Sequence, residues 1–371
     1  MKLDGVSSGV ADEILAELGK TKYACKSLDI LSGGNANYVF KGALKEPLPD
    51  GAGTVVVKHT KPYLASVTSY QLPPERGVIG MKAIASLAGL PSIPGPYAVR
   101  APKAYDYEGT LETRLMEYLP DSLNIKDYAL KNFSAGSDST RKPACVAFGH
   151  ALGAWLHSFH AWAARPEQAE FQKLAESNKA MSEVKFTANY TLLVANVDLY
   201  PEILADAKET FEKVKEMAAA ELSLPNLQPV HADFWTGNIL LPDRPLGSEA
   251  GPTPVFVVDW EVFSLGLPAL DLGQMIAEMY ELSLYKGMDE GKWFIEGFAA
   301  GYGVVDDDFA FRVAMHAGAH LVVWGSSVPG WGSSEQVEQV VGVGRDIILH
   351  AWAKDRAWFE AGVLGCLFRR Q

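Results

Sequence analysis

The stretch His231–Leu241 reads HADFWTGNILL. Leu227, Pro229 and Val230 give it an apolar approach, and Ile239–Leu241 an apolar exit. Between them lies a polar loop in which Asp233 and Asn238 stand five positions apart. A carboxylate can orient a hydroxyl and take its proton. Mg²⁺ takes hard oxygen ligands and keeps several waters, so one amide oxygen and one further carboxylate suffice for it. The stretch PVFVVDWE, residues 254–261, supplies that carboxylate: a short strand-like run that ends in Asp259. A tight turn between strands would use Asp and Asn for local hydrogen bonds alone. The V-V-D run at loop distance sets this stretch apart from such a turn.

At 371 residues, with 48% hydrophobic and 21% charged residues, the chain suits two domains or one large bilobal unit. A net charge of −12 argues against nucleic acid as a partner and leans toward a neutral or cationic substrate. Cys25, Cys145 and Cys366 form no C-x-x-C pair, so they read as reduced core thiols. The N-terminus lacks the apolar core of a signal peptide, and no run of about 18 apolar residues occurs. The expectation is a cytoplasmic protein without a membrane partner. Oligomeric state is not readable.

In chain order, Asp12–Leu18 has the pattern of a short amphipathic helix. Ala24–Leu31, SGG and NANYVFKGAL read as strand, glycine turn, strand. Gly33 and Gly34 would let the backbone approach an anion, and Ser32 and Asn35 could donate to it; a plain hairpin turn is the alternative. TVVVKHT, residues 54–60, is a strand in which three valines lead to Lys58. A lysine there must snorkel to an edge or meet a charged partner. Glu75–Ala88 reads as a helix behind Pro73 and Pro74. Two short strands, 97–107 and 113–118, follow, with EGTLE as their turn. MEYLP, residues 116–120, is an extended exit into a proline. Beyond it the pattern is helical over 144–164, 201–222, 267–284, 309–324 and 335–352, with 181–200 irregular. His157/His160 and His316/His320 have metal-ligand spacing, but on apolar faces they read as core. Trp324, Trp331, Trp352 and Trp358 suit packing or the lining of an acceptor pocket.

The series LSGGNANYVF, VVVKH, MEYL, HADFWTGNIL, VVDWE and PALDLG resembles, over nearly the whole chain, the aminoglycoside phosphotransferase/choline kinase superfamily of small-molecule kinases. KPY, PPERGVIGMKAI and the D-x-E at Asp259–Glu261 are most similar to methylthioribose kinase-like members. AHLVVWGSS and GWGSSEQ also resemble the 4-hydroxytryptamine kinases among them. The resemblance implies an α+β, protein-kinase-like bilobal fold, with a small β-rich N-lobe at 1–117 and a larger helical C-lobe at 118–371. It implies transfer of the γ-phosphoryl group of ATP, with Mg²⁺, to a hydroxyl of a small molecule. Asp233 would be the catalytic base. Asn238 and Asp259 would hold Mg²⁺, with Glu261 as a second metal or acceptor contact. Lys58 would hold phosphates under a cover of Ser32, Gly33, Gly34 and Asn35. The backbone of Glu117 and Leu119 would meet the adenine edge, and His231 and Asp271 would brace the catalytic loop.

One departure stands out. The superfamily pattern R-x-x-x-E puts a glutamate four residues after Arg76, where this chain has Gly80. Glu75 lies about 140° round the helix from that position and cannot replace it. Lys58 is therefore expected to lack its usual partner, with residual activity and weakened ATP binding. An impaired, nucleotide-binding pseudokinase is the rival reading, resting on Gly80 alone. The complete Asp233, Asn238 and Asp259 set argues against it. A choline or aminoglycoside type of kinase is the other alternative. A protein kinase is disfavoured by the lack of an A-P-E motif after VVDWE.

Overall fold

The computed structural model describes residues 6–31, 36–105, 112–133, 138–247, 251–328 and 330–369. Ser32, Gly33, Gly34 and Asn35, the expected phosphate cover, lie outside the described residues. The chain divides into two compact units, and not at a single cut after Glu117. The first holds Met1–Gly89, Ala101–Pro120 and Val258–Glu261; the second holds Leu90–Arg100, Asp121–Val257 and Val262–Gln371.

The first unit is built on a five-stranded antiparallel sheet. Its order is Cys25–Ile30, Tyr38–Leu44, Thr54–His59, Thr113–Glu117 and Ala104–Tyr105. Strand alternation sends Val55 and Val57 into the core, with Phe40 and Leu115 beside them. Lys58 therefore faces the other way, in register with Val39 and Arg114. The helix Val6–Leu18, longer than its expected 12–18 span, covers the core face with Val10, Ile14 and Leu18, one helical turn apart. The helix Glu75–Ser86 completes this unit's frame.

The second unit is mainly helical, with a four-stranded sheet ordered Tyr97–Arg100, Thr253–Val257, Ile239–Pro242 and Ser122–Asn124. The expected single strand over 97–107 is thus two strands in two different sheets. Tyr97–Arg100 runs parallel to Thr253–Val257, while Ala104–Tyr105 pairs with Thr113–Glu117. Pro102 explains the break: it has no N–H for a ladder. Residues 181–200, expected to be irregular, are helical. Lys179–Phe186 runs into a π turn, Thr187–Thr191, and then Leu192–Ala195. The extra residue of a π turn shifts the helical phase, which hides the 3.6 period.

The helix Asp289–Tyr302 has no counterpart in the sequence reading, because its glycines mask its pattern. Those glycines are its packing surface. It lies against Lys142–Ala163, and each helix presents two glycines four residues apart. A Cβ on Gly149 or Gly153 would fall 2.3 or 2.1 Å from the carbonyl oxygens of Phe294 and Phe298; one on Gly297 or Gly301 would fall 2.1 or 2.0 Å from those of Val146 and His150. The two backbones touch. No helix among the described residues is long and apolar enough to cross a membrane.

Candidate active site

The loop after strand Gln228–Val230 is held from below by one carboxylate. Asp271, near the start of the helix Pro268–Lys286, is fully buried. Its Oδ2 accepts from the His231 N–H at 2.9 Å and its Oδ1 from the Ala232 N–H at 2.8 Å. His160 Nε2 lies 3.0 Å from the same Oδ2, and His160 Nδ1 meets the Tyr302 hydroxyl at 2.9 Å. These bonds satisfy two buried amides and hold Ala232 at φ +62°, a conformation costly for a residue with a Cβ. Phe234, wholly buried, packs against Trp155 and Phe298 and pins the loop from its apolar side.

Pinned this way, the loop presents Asp233. Its Oδ1 accepts from Lys185 Nζ at 2.9 Å and from Gln274 Nε2 at 3.0 Å. Its Oδ2 accepts from Asn238 Nδ2 at 3.0 Å. Burial alone would raise this carboxyl, but the Lys185 charge and the hydrogen bonds from Lys185 and Gln274 outweigh it and hold it at about 2. Asn238 spends its Nδ2 on Asp233, on the backbone oxygen at 2.9 Å as well as the carboxylate. Its amide oxygen is left as a hard donor.

In the first unit, Lys58 Nζ donates to Asp259 Oδ1 and lies 3.3 Å from Glu261 Oε2. Burial would lower the Lys58 ammonium, but these two carboxylates more than offset that and raise it, so Lys58 is held charged. Glu261 is itself clamped: Asn37 Nδ2 donates to its Oε2 at 2.7 Å and Arg76 Nε lies 3.5 Å away. Arg76, fully buried, also donates to the carbonyls of Lys61 and Pro73, each at 3.0 Å. Asp259 sits at φ +65°.

This geometry corrects the expectation about Gly80. Lys58 is not short of a partner, because Asp259 and Glu261 both pair with it. Gly80 is glycine for a steric reason. A Cβ there would lie 3.0 Å from both the Glu261 nitrogen and the Trp260 carbonyl carbon.

Of the remaining expected residues, Glu117 ends the strand Thr113–Glu117; its N–H donates to the Lys103 carbonyl at 2.9 Å, and Leu119 is buried. His231 is buried, and its Nδ1 accepts from the Asp233 N–H at 3.2 Å. His316 and His320, read as core, are indeed buried. His316 Nδ1 meets the Tyr190 hydroxyl at 2.8 Å, but His320 Nε2 lies 2.9 Å from Glu278 Oε1. Glu278 also accepts from the Thr236 hydroxyl at 2.8 Å. Glu278, Glu281 and His320 offer ligand atoms that all lie within 4.8 Å of one another.

A family model described as the phosphotransferase enzyme family matches residues 51–314. The chain belongs to the phosphotransferase enzyme family. The match takes in Lys58, the loop at 231–238, Asp259 and Asp271. The phosphotransferase FrzJ of a Cladobotryum species is 28% identical over 98% of this chain and 97% of its own length. The 4-hydroxytryptamine kinase of Psilocybe cyanescens is 24% identical over 89% of this chain and 91% of its own. Among solved structures, a glucosamine kinase in complex with glucosamine, ADP and inorganic phosphate aligns with a TM-score of 0.50 and 17% identity. It covers 95% of this chain and 88% of the other, and shares the protein-kinase-like fold.

Within this phosphotransferase, sequence reasoning missed three residues at the loop, Lys185, Gln274 and Glu278; His160, read as core, is buried and bonds Asp271. Gln274, Glu278 and Glu281 follow Asp271 at steps of three and four on one helix, so they share its loop-facing side. That stripe was the available signal. Lys185 had none, since it lies ahead of the π turn.

Proposed function

We propose that this phosphotransferase moves the γ-phosphoryl group of ATP to a hydroxyl of a small molecule that carries an amine. The observation that carries the reading is the setting of Asp233, a carboxylate kept ionised by Lys185 and Gln274. It would orient the acceptor hydroxyl and take its proton as the oxygen attacks phosphorus. Lys58, held charged by Asp259 and Glu261, suits the donor phosphates. The backbone of Glu117 and Leu119 would meet the adenine edge, and Ser32–Asn35 would cover the phosphates.

The amide oxygen of Asn238 in the second unit and the carboxylate of Asp259 in the first are each hard donors of the kind Mg²⁺ takes. Asp259 Oδ1 is engaged by Lys58, which leaves Oδ2 for a metal. Held by such donors, Mg²⁺ would neutralise charge on the phosphates. Glu261 is bound up with Lys58, Asn37 and Arg76, which favours a role in holding the lysine over one as a metal ligand.

The amine rests on Glu278, Glu281 and His320. Among the described residues Glu281 Oε1 is buried with no hydrogen-bond partner, and burial beside Glu278 pushes its carboxyl well up. A cation would relieve both conditions. Glu278 lies one turn beyond Gln274 and bonds Thr236 of the same loop, so an ammonium there would belong to a molecule whose hydroxyl reaches Asp233. The 4-hydroxytryptamine kinases, with their amine substrate, agree with this acceptor class.

The test is ADP release with Mg²⁺ and ATP across a hydroxyindole amine, its neutral analogue, an amino alcohol, methylthioribose and an aminoglycoside. Asp233→Ala serves as the control. The reading expects turnover of an amine-bearing acceptor that is lost in the control. Turnover of the neutral analogue as efficient as that of the amine would sink the amine assignment and leave the phosphoryl transfer standing.

A further inference from the structure

We propose that Lys185 is a positioning residue for phosphoryl transfer: by occupying Oδ1 of Asp233, it reserves Oδ2 for the acceptor hydroxyl. This rests on the reading of Asp233 given above. An ionised carboxylate has about four lone-pair sites, two on each oxygen. Lys185 Nζ and Gln274 Nε2 fill both sites on Oδ1. Asn238 Nδ2 fills one on Oδ2. Among the described residues one site remains, and it lies on Oδ2. An acceptor O–H donates into that site. As its oxygen bonds to the γ-phosphorus, the bond from phosphorus to the ADP oxygen breaks and the hydroxyl proton passes to Oδ2. Without Lys185 the two oxygens lose their distinction. Gln274 and Asn238 are then the remaining side-chain donors to the carboxylate among the described residues, and without the charge-assisted bond from Lys185 it is held less firmly against turning about its Cβ–Cγ bond.

The way Lys185 is delivered supports a dedicated role. It is the penultimate residue of the helix Lys179–Phe186, and the π turn Thr187–Thr191 follows at once. Inside that turn the Tyr190 hydroxyl accepts from Arg312 Nη2 at 2.7 Å and meets His316 Nδ1. Asn189 Oδ1 accepts from the Trp324 Nε1–H at 3.0 Å, and Trp324 belongs to a second π turn, Leu321–Gly325. π turns are rare and concentrate at functional sites. Here the added residue lets Lys185 face Asp233 while Tyr190, five positions on, faces the helix Asp307–His320. A lysine needed only for charge balance could sit on any loop. This one is fixed by two π turns that bond to each other.

The experiment uses full-length Lys185→Met and Lys185→Arg proteins, with Lys185→Gln in reserve should the methionine variant fail to fold. Crystal structures of the variants report the Asp233 carboxylate. Turnover with Mg²⁺, ATP and 4-hydroxytryptamine as probe acceptor reports its consequence. The methionine variant should lose about 10- to 100-fold in kcat with the KM for ATP within about twofold, and its carboxylate should leave the Gln274–Asn238 setting. Arginine should recover most of the loss. A methionine variant within about threefold of wild type, or a carboxylate that has not moved, overturns the proposal. A wild-type enzyme silent with this acceptor counts against the acceptor class alone. The crystal comparison then decides Lys185: a turned carboxylate supports the role and an unmoved one overturns it.

Discussion

Gly80→Ala should destabilise this protein, although alanine is the better helix former. In the interior of an exposed helix the exchange would gain about 1 kcal/mol. Here the new methyl group would lie 3.0 Å from the Glu261 nitrogen, 3.0 Å from the Trp260 carbonyl carbon and 3.1 Å from the Glu261 Cα. Carbon contacts are comfortable at about 3.5–4.0 Å, so the backbone at 260–261 must give by a few tenths of an ångström. All three neighbours are backbone atoms, which cannot swing aside as a side chain would. Overpacking of this kind costs about 1–3 kcal/mol, so the net change is a loss of about 0–2 kcal/mol. For a chain of this size each kcal/mol lowers Tm by about 2 °C. The retreat also carries Glu261 away from Lys58, now 3.3 Å distant, and from Asn37 at 2.7 Å. The KM for ATP should therefore rise. The same logic reverses the expectation for Gly80→Glu: a longer side chain displaces Trp260–Glu261 and weakens ATP binding instead of restoring a partner. Thermal unfolding and ATP titration of Gly80→Ala check both parts. A variant more stable by about 1 kcal/mol, with unchanged KM, would refute the steric reading outright.

Asp233→Ala should lower turnover by about 10²–10⁴-fold, measured as ADP release; a change below about tenfold would remove Asp233 from the proton-accepting role. Asp271→Ala leaves the His231 and Ala232 amides without their acceptor, at about 1–3 kcal/mol each, so denaturant unfolding should show a loss of several kcal/mol. An unchanged unfolding midpoint would mean that water replaces the carboxylate. Gly153→Val should fail to give folded protein, or unfold far below wild type, since its Cβ would meet the Phe298 oxygen at 2.1 Å. Normal expression with a native Tm would show that the two helices can part. Burial pushes the Cys145 thiol up to about 12 and the Cys366 thiol to about 11, so both stay protonated at pH 8. Alkylation of the folded protein at that pH should be far slower than after denaturation, and equal rates would place the thiols in solvent.

The reading of the first unit's sheet came from residues whose role is local. Three valines in a row leading to Lys58 mark the strand in the sequence, while the inward turn of Val55 and Val57 and the opposite turn of Lys58 come from the structure. The loop at 231–238 was readable because Asp233 and its partner Asn238 stand within six residues of each other. What could not be read depends on distant partners. Gly80 looks like a lost glutamate until the backbone of Trp260 and Glu261 is seen against it. Lys185 acts across 48 positions and precedes a π turn that erases helical phase. The helix Asp289–Tyr302 was invisible because glycine is scored against helices, whereas in this one glycine is what lets a neighbour in. Pro102 alone gave fair warning that the strand over 97–107 would break.

The paired glycines also act as a ruler. Where side chains separate two helices, every substitution in the seam resets their spacing. Here Gly149, Gly153, Gly297 and Gly301 set the spacing by the radii of main-chain atoms, which no substitution elsewhere in the unit alters. His160 belongs to one of these helices and Tyr302 ends the other, and the bond between them leads straight to Asp271 and the loop that carries Asp233. The height of that loop is thereby insulated from change elsewhere. Side chains away from that seam can change without resetting the height of Asp233.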